Sequence, residues 1–352
     1  MAIPQAATIL LINPLDANDL IHENPGRTKS SIGLFYYAFE QQTEPRAIGT
    51  PRQVKGIHPH PAYYYNAKKD TNVVSRGSFL LRQFAIFVWQ YAVLDIVQFS
   101  AHRMPVRSMT GEIFTELEWN VPIDIWIQRI TENLISWFLI ARICLDCRYR
   151  MASIIVVGLG INSPQDWSPI FGSMSDAYTL RNYWGTFWHQ GLRQALTSVS
   201  NLVTRDIMHL PRPSLLERYT NIFLVFFASG VLHLVTDIVM GIPAQYSGAI
   251  LFFTSFVLGF MIEDCVQALY KRIKGPEVQI VSKWKRVIGY LWVATWLGIV
   301  STVHLFPGSQ RIPPHELRTV PYRICDRVGI APVAGFTVVG GLALLFGYKV
   351  EI

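Results

Sequence analysis

The chain has 352 residues, of which 51% are hydrophobic and only 16% charged, a balance well to the apolar side of a soluble globular domain. With a positive mean hydropathy, this composition excludes an ordinary soluble protein and predicts an integral membrane protein, with the lipid bilayer as its surroundings. The net charge of +7 excludes an acidic, self-solvating chain, and its largest cluster of cations lies where membrane topology requires it.

In chain order, two short apolar runs, near Ala6 to Leu15 and Ser31 to Phe39, come first. The N-terminus lacks a basic start, and Pro4, Asn13, Pro14 and Asp16 bound its apolar run, so no cleavable signal peptide is expected and the first true span serves as the targeting signal. Residues 41 to 76 read as a polar connector with interfacial tyrosines. Within it, His58 and His60 are each followed by proline; this is extended loop with no third ligand nearby, so no metal is expected.

Phe79 to Gln98 predicts a span, as do Ile222 to Ile242, Tyr246 to Val266, Val287 to Phe306 and Gly329 to Tyr348, each near the ~20 residues that cross a hydrocarbon core as helix. Thr131 to Ile161 is apolar but interrupted by Arg142, Asp146, Arg148 and Arg150, which leaves open one long span or a pair with a further partner in 192 to 209. The expectation is an all-α, polytopic transmembrane helical bundle of six to nine spans forming a single domain over residues 1–352. Cys144, Cys147, Cys265 and Cys325 are too few and too scattered for a disulfide or zinc framework and read as membrane thiols.

Between the spans ending near Val266 and starting at Val287 lie Lys271, Arg272, Lys274, Lys283, Lys285 and Arg286 against the single Glu277. The positive-inside rule makes this loop cytosolic. A basic loop wedged between two spans is topological, so no nucleic-acid partner is expected. Counting back through two spans puts residues 162 to 217 on the cytosolic side as well.

That region holds "LRNYWGTFWHQGLRQAL". It lacks internal proline, and on a helix it places Asn182, Gly185, His189 and Arg193 along one stripe, with Tyr183, Phe187, Trp184 and Trp188 on the other faces. An aromatic side then lies against lipid or neighbouring helices, beside a polar line with a glycine gap where a ligand approaches the backbone. An interfacial anchor helix would share the aromatic rings and the snorkelling arginines, but it has no need of the Asn/His/Arg line.

A second stretch, "FFASGVLHLVTD" at 226 to 237, puts Ser229, His233 and Asp237 four apart on one face of a predicted span. Ionisable groups inside a membrane are costly and mark function by default. A neutral imidazole accepts a proton at pH 7, and Asp237 either orients the ring or faces water at the far end of the span. Gly230 allows close packing or substrate access. Asp95 and the Glu263–Asp264 pair are weaker candidates.

Together, "WSPIFGSMSDAYTLRNYWGTFWHQ" and "ERYTNIFLVFFASGVLHLVTD" resemble the wax synthase-like branch of the membrane-bound O-acyltransferases. The likeness rests on a Leu-Arg-x-aromatic-Trp-Gly-x-x-Trp-His block followed by Ser-Gly-x-x-His within a membrane helix. It covers about residues 165–310, and "GFMIEDCVQAL" at 259 to 269 is similar to a further family segment. The resemblance implies acyl transfer from acyl-CoA to an alcohol inside a helical bundle, with His233 at the position of the catalytic histidine. His189 stands at the end of the Trp-His block, where many relatives carry asparagine, and Trp184 and Trp188 match the block's tryptophans.

On that reading the catalytic candidates are His233, His189 and Asp237, and the substrate-binding candidates are Asn182, Trp184, Trp188, Arg181, Arg193 and Ser229. His233 removes the hydroxyl proton, His189 or Asn182 donates to the developing oxyanion, and Arg181, Arg193 and Arg205 either meet CoA phosphates or snorkel. Acetyl-CoA is a co-substrate rather than a bound cofactor. The acceptor expected by analogy is a hydrophobic natural-product alcohol, terpenoid or polyketide, with long-chain ester synthesis as the alternative and the endoplasmic reticulum as the membrane. A transporter, or a membrane cyclase or isomerase, would use the same polar groups differently; no inverted repeat and no aspartate-rich magnesium motif supports them.

Overall fold

The computed structural model describes residues 16–24, 26, 28–43, 46–61, 74–103, 117–274, 282–311 and 319–346, and all regular secondary structure among them is helical. In chain order the principal helices are α1 (Ala17–Glu23), α2 (Ser31–Thr43), α3 (Arg76–Ala101), α4 (Ile123–Ile135), α5 (Arg142–Gly158), α6 (Arg193–Asn201), α7 (Leu215–Val239), α8 (Ala249–Lys274), α9 (Lys283–Arg311) and α10 (Ile330–Phe346). By length and composition α3, α7, α8 and α9 can each cross a membrane, and Ile330–Leu344 is a shorter apolar helix. The apolar run near Ala6 to Leu15 falls outside the described residues.

Local chemistry explains where these helices start. The Ser75 hydroxyl accepts from Ser78 N at the head of α3. The Ser214 hydroxyl accepts from Glu217 N at the head of α7, where Glu217 adds negative charge to the positive end of the helix dipole.

Chain contacts group into two compact units, residues 1–58, 170–240 and 247–296 in the first and 59–169, 241–246 and 297–352 in the second. In the second unit α4 and α5 are joined by the π-helical turn Ser136–Ala141, so helix runs unbroken from Ile123 to Gly158. Two of its charges are paired: Asp146 accepts from Arg150 Nε at 2.8 Å, and also from Gln90 Nε2 of α3 at 2.6 Å. Asn133 of α4 donates to the Gly298 carbonyl of α9 at 2.7 Å. The 192–209 stretch is α6 followed by the π-helical turn Leu202–Ile207.

In the first unit α7 and α8 form an antiparallel pair. A Cβ on Gly230 would sit 2.8 Å from the Ile250 Cα, so the glycine is what lets the two backbones touch. Phe226 then meets Phe256 and Phe260, at ring-centroid distances of 5.7 and 5.4 Å, and the apolar seam between the helices is closed. All of the catalytic and substrate-binding candidates belong to this unit, whereas the weaker candidate Asp95 lies in the second, where it accepts from Cys325 N at 2.7 Å.

Candidate active site

The aromatic block is not the single helix its pattern predicts. The Thr179 hydroxyl caps Asn182 N at 3.0 Å and a helical turn runs over Leu180–Asn182. The chain then winds as a π-helical turn, Tyr183–Phe187, and Trp188 is extended at φ −68° and ψ 156°. Trp188 N closes the π-helical turn onto Tyr183 O at 2.7 Å, and tertiary bonds then take over: Gln190 N donates to Ile170 O at 3.3 Å, and Gly172 N to Phe187 O at 2.9 Å. A new helix, α6, starts at Arg193. Asn182, Gly185, His189 and Arg193 therefore do not form one helical stripe.

The head of the block is held by a carboxylate from another helix. Glu263 of α8, 7% exposed, accepts from Leu180 N at 2.5 Å, Arg181 N at 3.2 Å and Trp292 Nε1 at 3.0 Å. A carboxyl group thus accepts from the unpaired N–H groups at the start of the turn. Its neighbour Asp264 accepts from Arg181 at 2.9 Å and from the Tyr219 hydroxyl at 2.7 Å, and pairs with Arg218 at 3.0 Å. Arg193 donates to the Lys55 carbonyl at 3.0 Å and also to the Gly185 carbonyl. Of the three arginines weighed between CoA phosphates and snorkelling, Arg181 and Arg193 thus have partners within the protein, and Arg205 lies 3.7 Å from Glu217.

The aromatic rings of the block face protein. Tyr183 and Phe187 are fully buried and Trp188 nearly so; Tyr183 stacks on Trp188 at 5.5 Å. Trp184 packs edge-on against Phe226 of α7 at 5.6 Å and Phe256 of α8 at 5.0 Å. Gly185 is exposed, and a Cβ on it would meet no atom within 4 Å.

His233 lies on α7, where regular helical bonding keeps Ser229, His233 and Asp237 on one face. Its Nδ1 is 2.8 Å from the Ser229 carbonyl. A carbonyl only accepts, so Nδ1 carries the hydrogen and Nε2 of the neutral ring keeps its lone pair. Phe253 of α8 covers the ring at a centroid distance of 4.4 Å, a contact the Gly230 crossing makes possible. The Ser229 hydroxyl itself bonds back to Val225 O at 3.0 Å. Asp237 is not a solvated helix end: it is 8% exposed and accepts from the Ser247 hydroxyl at 2.6 Å.

His189 belongs to the same aromatic cluster, with its ring 5.6 Å from Trp188 and 6.1 Å from Phe171. Trp188 contacts Trp184 at 5.7 Å, Trp184 contacts Phe253 at 6.0 Å, and Phe253 covers His233. Burial, with the charge of a protonated His233 adding to it, holds the His189 imidazole down at about 4, so this ring is neutral at pH 7. Among the described residues neither the His189 ring nitrogens nor the Asn182 side-chain amide has a hydrogen-bond partner. The neutral His189 ring beside the aromatic wall, and His233 with its tautomer set by Ser229, are the groups this unit offers to a substrate. Sequence reasoning missed Phe253 and the capping role of Glu263. The signal for the first was the 252, 253, 256, 260 phenylalanine spacing of α8.

Comparison with known proteins gives the class of this chain. The chain belongs to the membrane bound O-acyl transferase family, whose model matches residues 167–255, a stretch that contains both His189 and His233. It is 37% identical over 352 residues to acetyltransferase pyr8 of Aspergillus fumigatus, covering 99% of this chain and 81% of pyr8. It is 38% identical over 364 residues to acetyltransferase spyB of Aspergillus fumigatus, and spans 61% of the length of that relative. Acetyltransferase TRI7 of Fusarium sporotrichioides is 35% identical over 364 residues, 99% of this chain and 80% of TRI7 being covered. No solved structure matches the chain.

Proposed function

We propose that the chain is an O-acetyltransferase that moves the acetyl group of acetyl-CoA to a hydroxyl of a hydrophobic natural product, a terpenoid or polyketide alcohol. The observation that carries the mechanism is the His233 Nδ1 bond to the Ser229 carbonyl, because it leaves Nε2 as the proton acceptor. Nε2 takes the hydroxyl proton as the oxygen attacks the thioester carbonyl carbon. The tetrahedral oxyanion is met by the N–H of neutral His189 and by the Asn182 amide. The C–S bond then breaks, and the CoA thiolate recovers the proton from the imidazolium, giving the acetyl ester and free CoA with no covalent enzyme intermediate.

Trp184 and Trp188 form the wall against which donor and acceptor meet. Ser229 acts through its carbonyl, and Asp237 supports the far end of the same helical face. Arg181 and Arg193 hold the wall in place rather than the CoA phosphates. The same reading has one acyltransferase domain over residues 1–352, spanning the endoplasmic reticulum membrane six to nine times with the 162–217 region toward the cytosol. On this reading the 123–158 helix and α10 cross as well as the four long apolar helices.

Names of three relatives as acetyltransferases support acetyl over longer acyl groups. The test is to incubate membranes holding the chain with labelled acetyl-CoA or labelled palmitoyl-CoA and an organic extract of the source cells. Label in an organic-soluble product from acetyl-CoA alone is expected. Label from palmitoyl-CoA alone would replace this reading with long-chain ester synthesis.

A further inference from the structure

The Trp188–His189 turn lacks the support that a helix gives His233, and much of what holds it comes from a distant part of the chain. Residues 46 to 58 form a strap that is tied to itself before it reaches the site. Val54 N donates to Arg46 O at 3.0 Å and Gly49 N to Gln53 Oε1 at 2.8 Å. Arg52 forks onto Glu23 at 2.9 and 2.8 Å. At Gly56 the backbone turns through a φ of 72°, a conformation open to glycine, with the Lys55 and Gly56 carbonyls directed at the block. Gln190 Nε2, 134 residues away, donates to the Gly56 carbonyl at 2.6 Å. Arg193 joins the Lys55 carbonyl to the Gly185 carbonyl.

His58 completes the contact. A Cβ on Gly172 would sit 2.8 Å from the His58 Cε1 and would collide with the Thr186 carbonyl, so the imidazole rests directly on the backbone that hydrogen-bonds Phe187. Its Nε2 is buried without a hydrogen-bond partner among the described residues, an arrangement that costs free energy. Burial, Arg46 and Arg193 outweigh Asp176 and push this imidazole down to about 4, so at pH 7 it is an uncharged planar block.

We infer that the 46–58 strap belongs to the catalytic wall and that His58 is a positioning residue, which fixes the turn carrying Trp188 and His189 by packing on Gly172. The inference rests on the acetyl-transfer reading for its effect on rate, but not for its effect on the turn. His58→Ala and His58→Phe test it, because a phenyl ring keeps the uncharged planar block and a methyl group does not. In detergent-solubilised full chain, hydrogen exchange of peptides spanning 185–193 should quicken by about tenfold or more in His58→Ala. A peptide spanning 252–260 should exchange as in the wild type, and His58→Phe should be close to wild type throughout.

With labelled acetyl-CoA and the organic extract, His58→Ala should lower the apparent kcat by about 100-fold while the apparent KM for acetyl-CoA moves less than about threefold, the mark of a misplaced wall rather than lost donor binding. Wild-type exchange over 185–193 in His58→Ala, or a phenylalanine variant as impaired as the alanine one, would overturn the inference. Wild-type membranes that transfer no label would instead sink the acetyl-transfer reading, and the exchange measurement would still decide on the strap.

Discussion

His233 and His189 share one aromatic cluster but are held by different means. His233 stands on a regular helix whose own Ser229 carbonyl sets its tautomer, and one glycine crossing brings Phe253 against it. His189 stands on a non-helical turn, closed by bonds to Ile170, Tyr183 and Gly172 and backed by the strap. A group fixed within its own helix is insulated from remote changes, whereas one fixed by tertiary contacts inherits a loss at any of them. On the proposed mechanism the proton acceptor thus stands on a regular helix, and the oxyanion donor on a turn held by tertiary contacts.

Breaking the helical side should have the larger effect. His233→Ala removes the proton acceptor and should lower acetyl transfer by about 100- to 10,000-fold, with membrane expression unchanged on a quantitative blot. His189→Ala removes one of two oxyanion donors and should cost at least about 100-fold in kcat. Gly230→Ala forces a Cβ against Ile250 and should separate α7 from α8, a loss of about 1–3 kcal/mol visible as a lower melting temperature in detergent. Asp237→Asn keeps a partner for Ser247 and leaves the ring held by Ser229, so its rate should stay within about tenfold of the wild type.

Acid sharpens the comparison. His189 ionises near pH 4 in the fold against an ordinary 6.5; the fold favours its neutral form. The stability this supplies is complete above pH 6.5 and is lost as pH falls toward 4. His189→Ala should therefore lose less melting temperature than the wild type between about pH 7 and pH 4.5.

Hydropathy and length were enough to locate α3, α7, α8, α9 and α10, because burial in lipid demands long apolar helices. Ser229, His233 and Asp237 could be placed on one face for the same reason: the span is regular, so a spacing of four keeps its meaning. The Gly230 contact was legible too, since a small residue beside a polar stripe marks a helix crossing. The break at Trp188 was not legible. Nothing in "YWGTFWHQ" stops a helix locally; the groups that do so come from Ile170 and Gly172, and Glu263, which caps the head of the block, is 83 residues from Leu180. The engagement of Arg181 with Asp264 and of Arg193 with Lys55 is hidden for the same reason.

The central claim is that His233 Nε2 removes the acceptor's proton, and His233→Gln tests it most directly. Glutamine is polar and of similar reach but cannot take up a proton at neutral pH. Membranes with equal amounts of wild-type and His233→Gln protein would be compared for transfer from labelled acetyl-CoA, with acetyl-CoA binding followed in parallel by thermal shift of the solubilised chains. The account predicts that the glutamine variant still binds acetyl-CoA and is as inactive as His233→Ala. A glutamine variant that transfers label at the wild-type rate would contradict it.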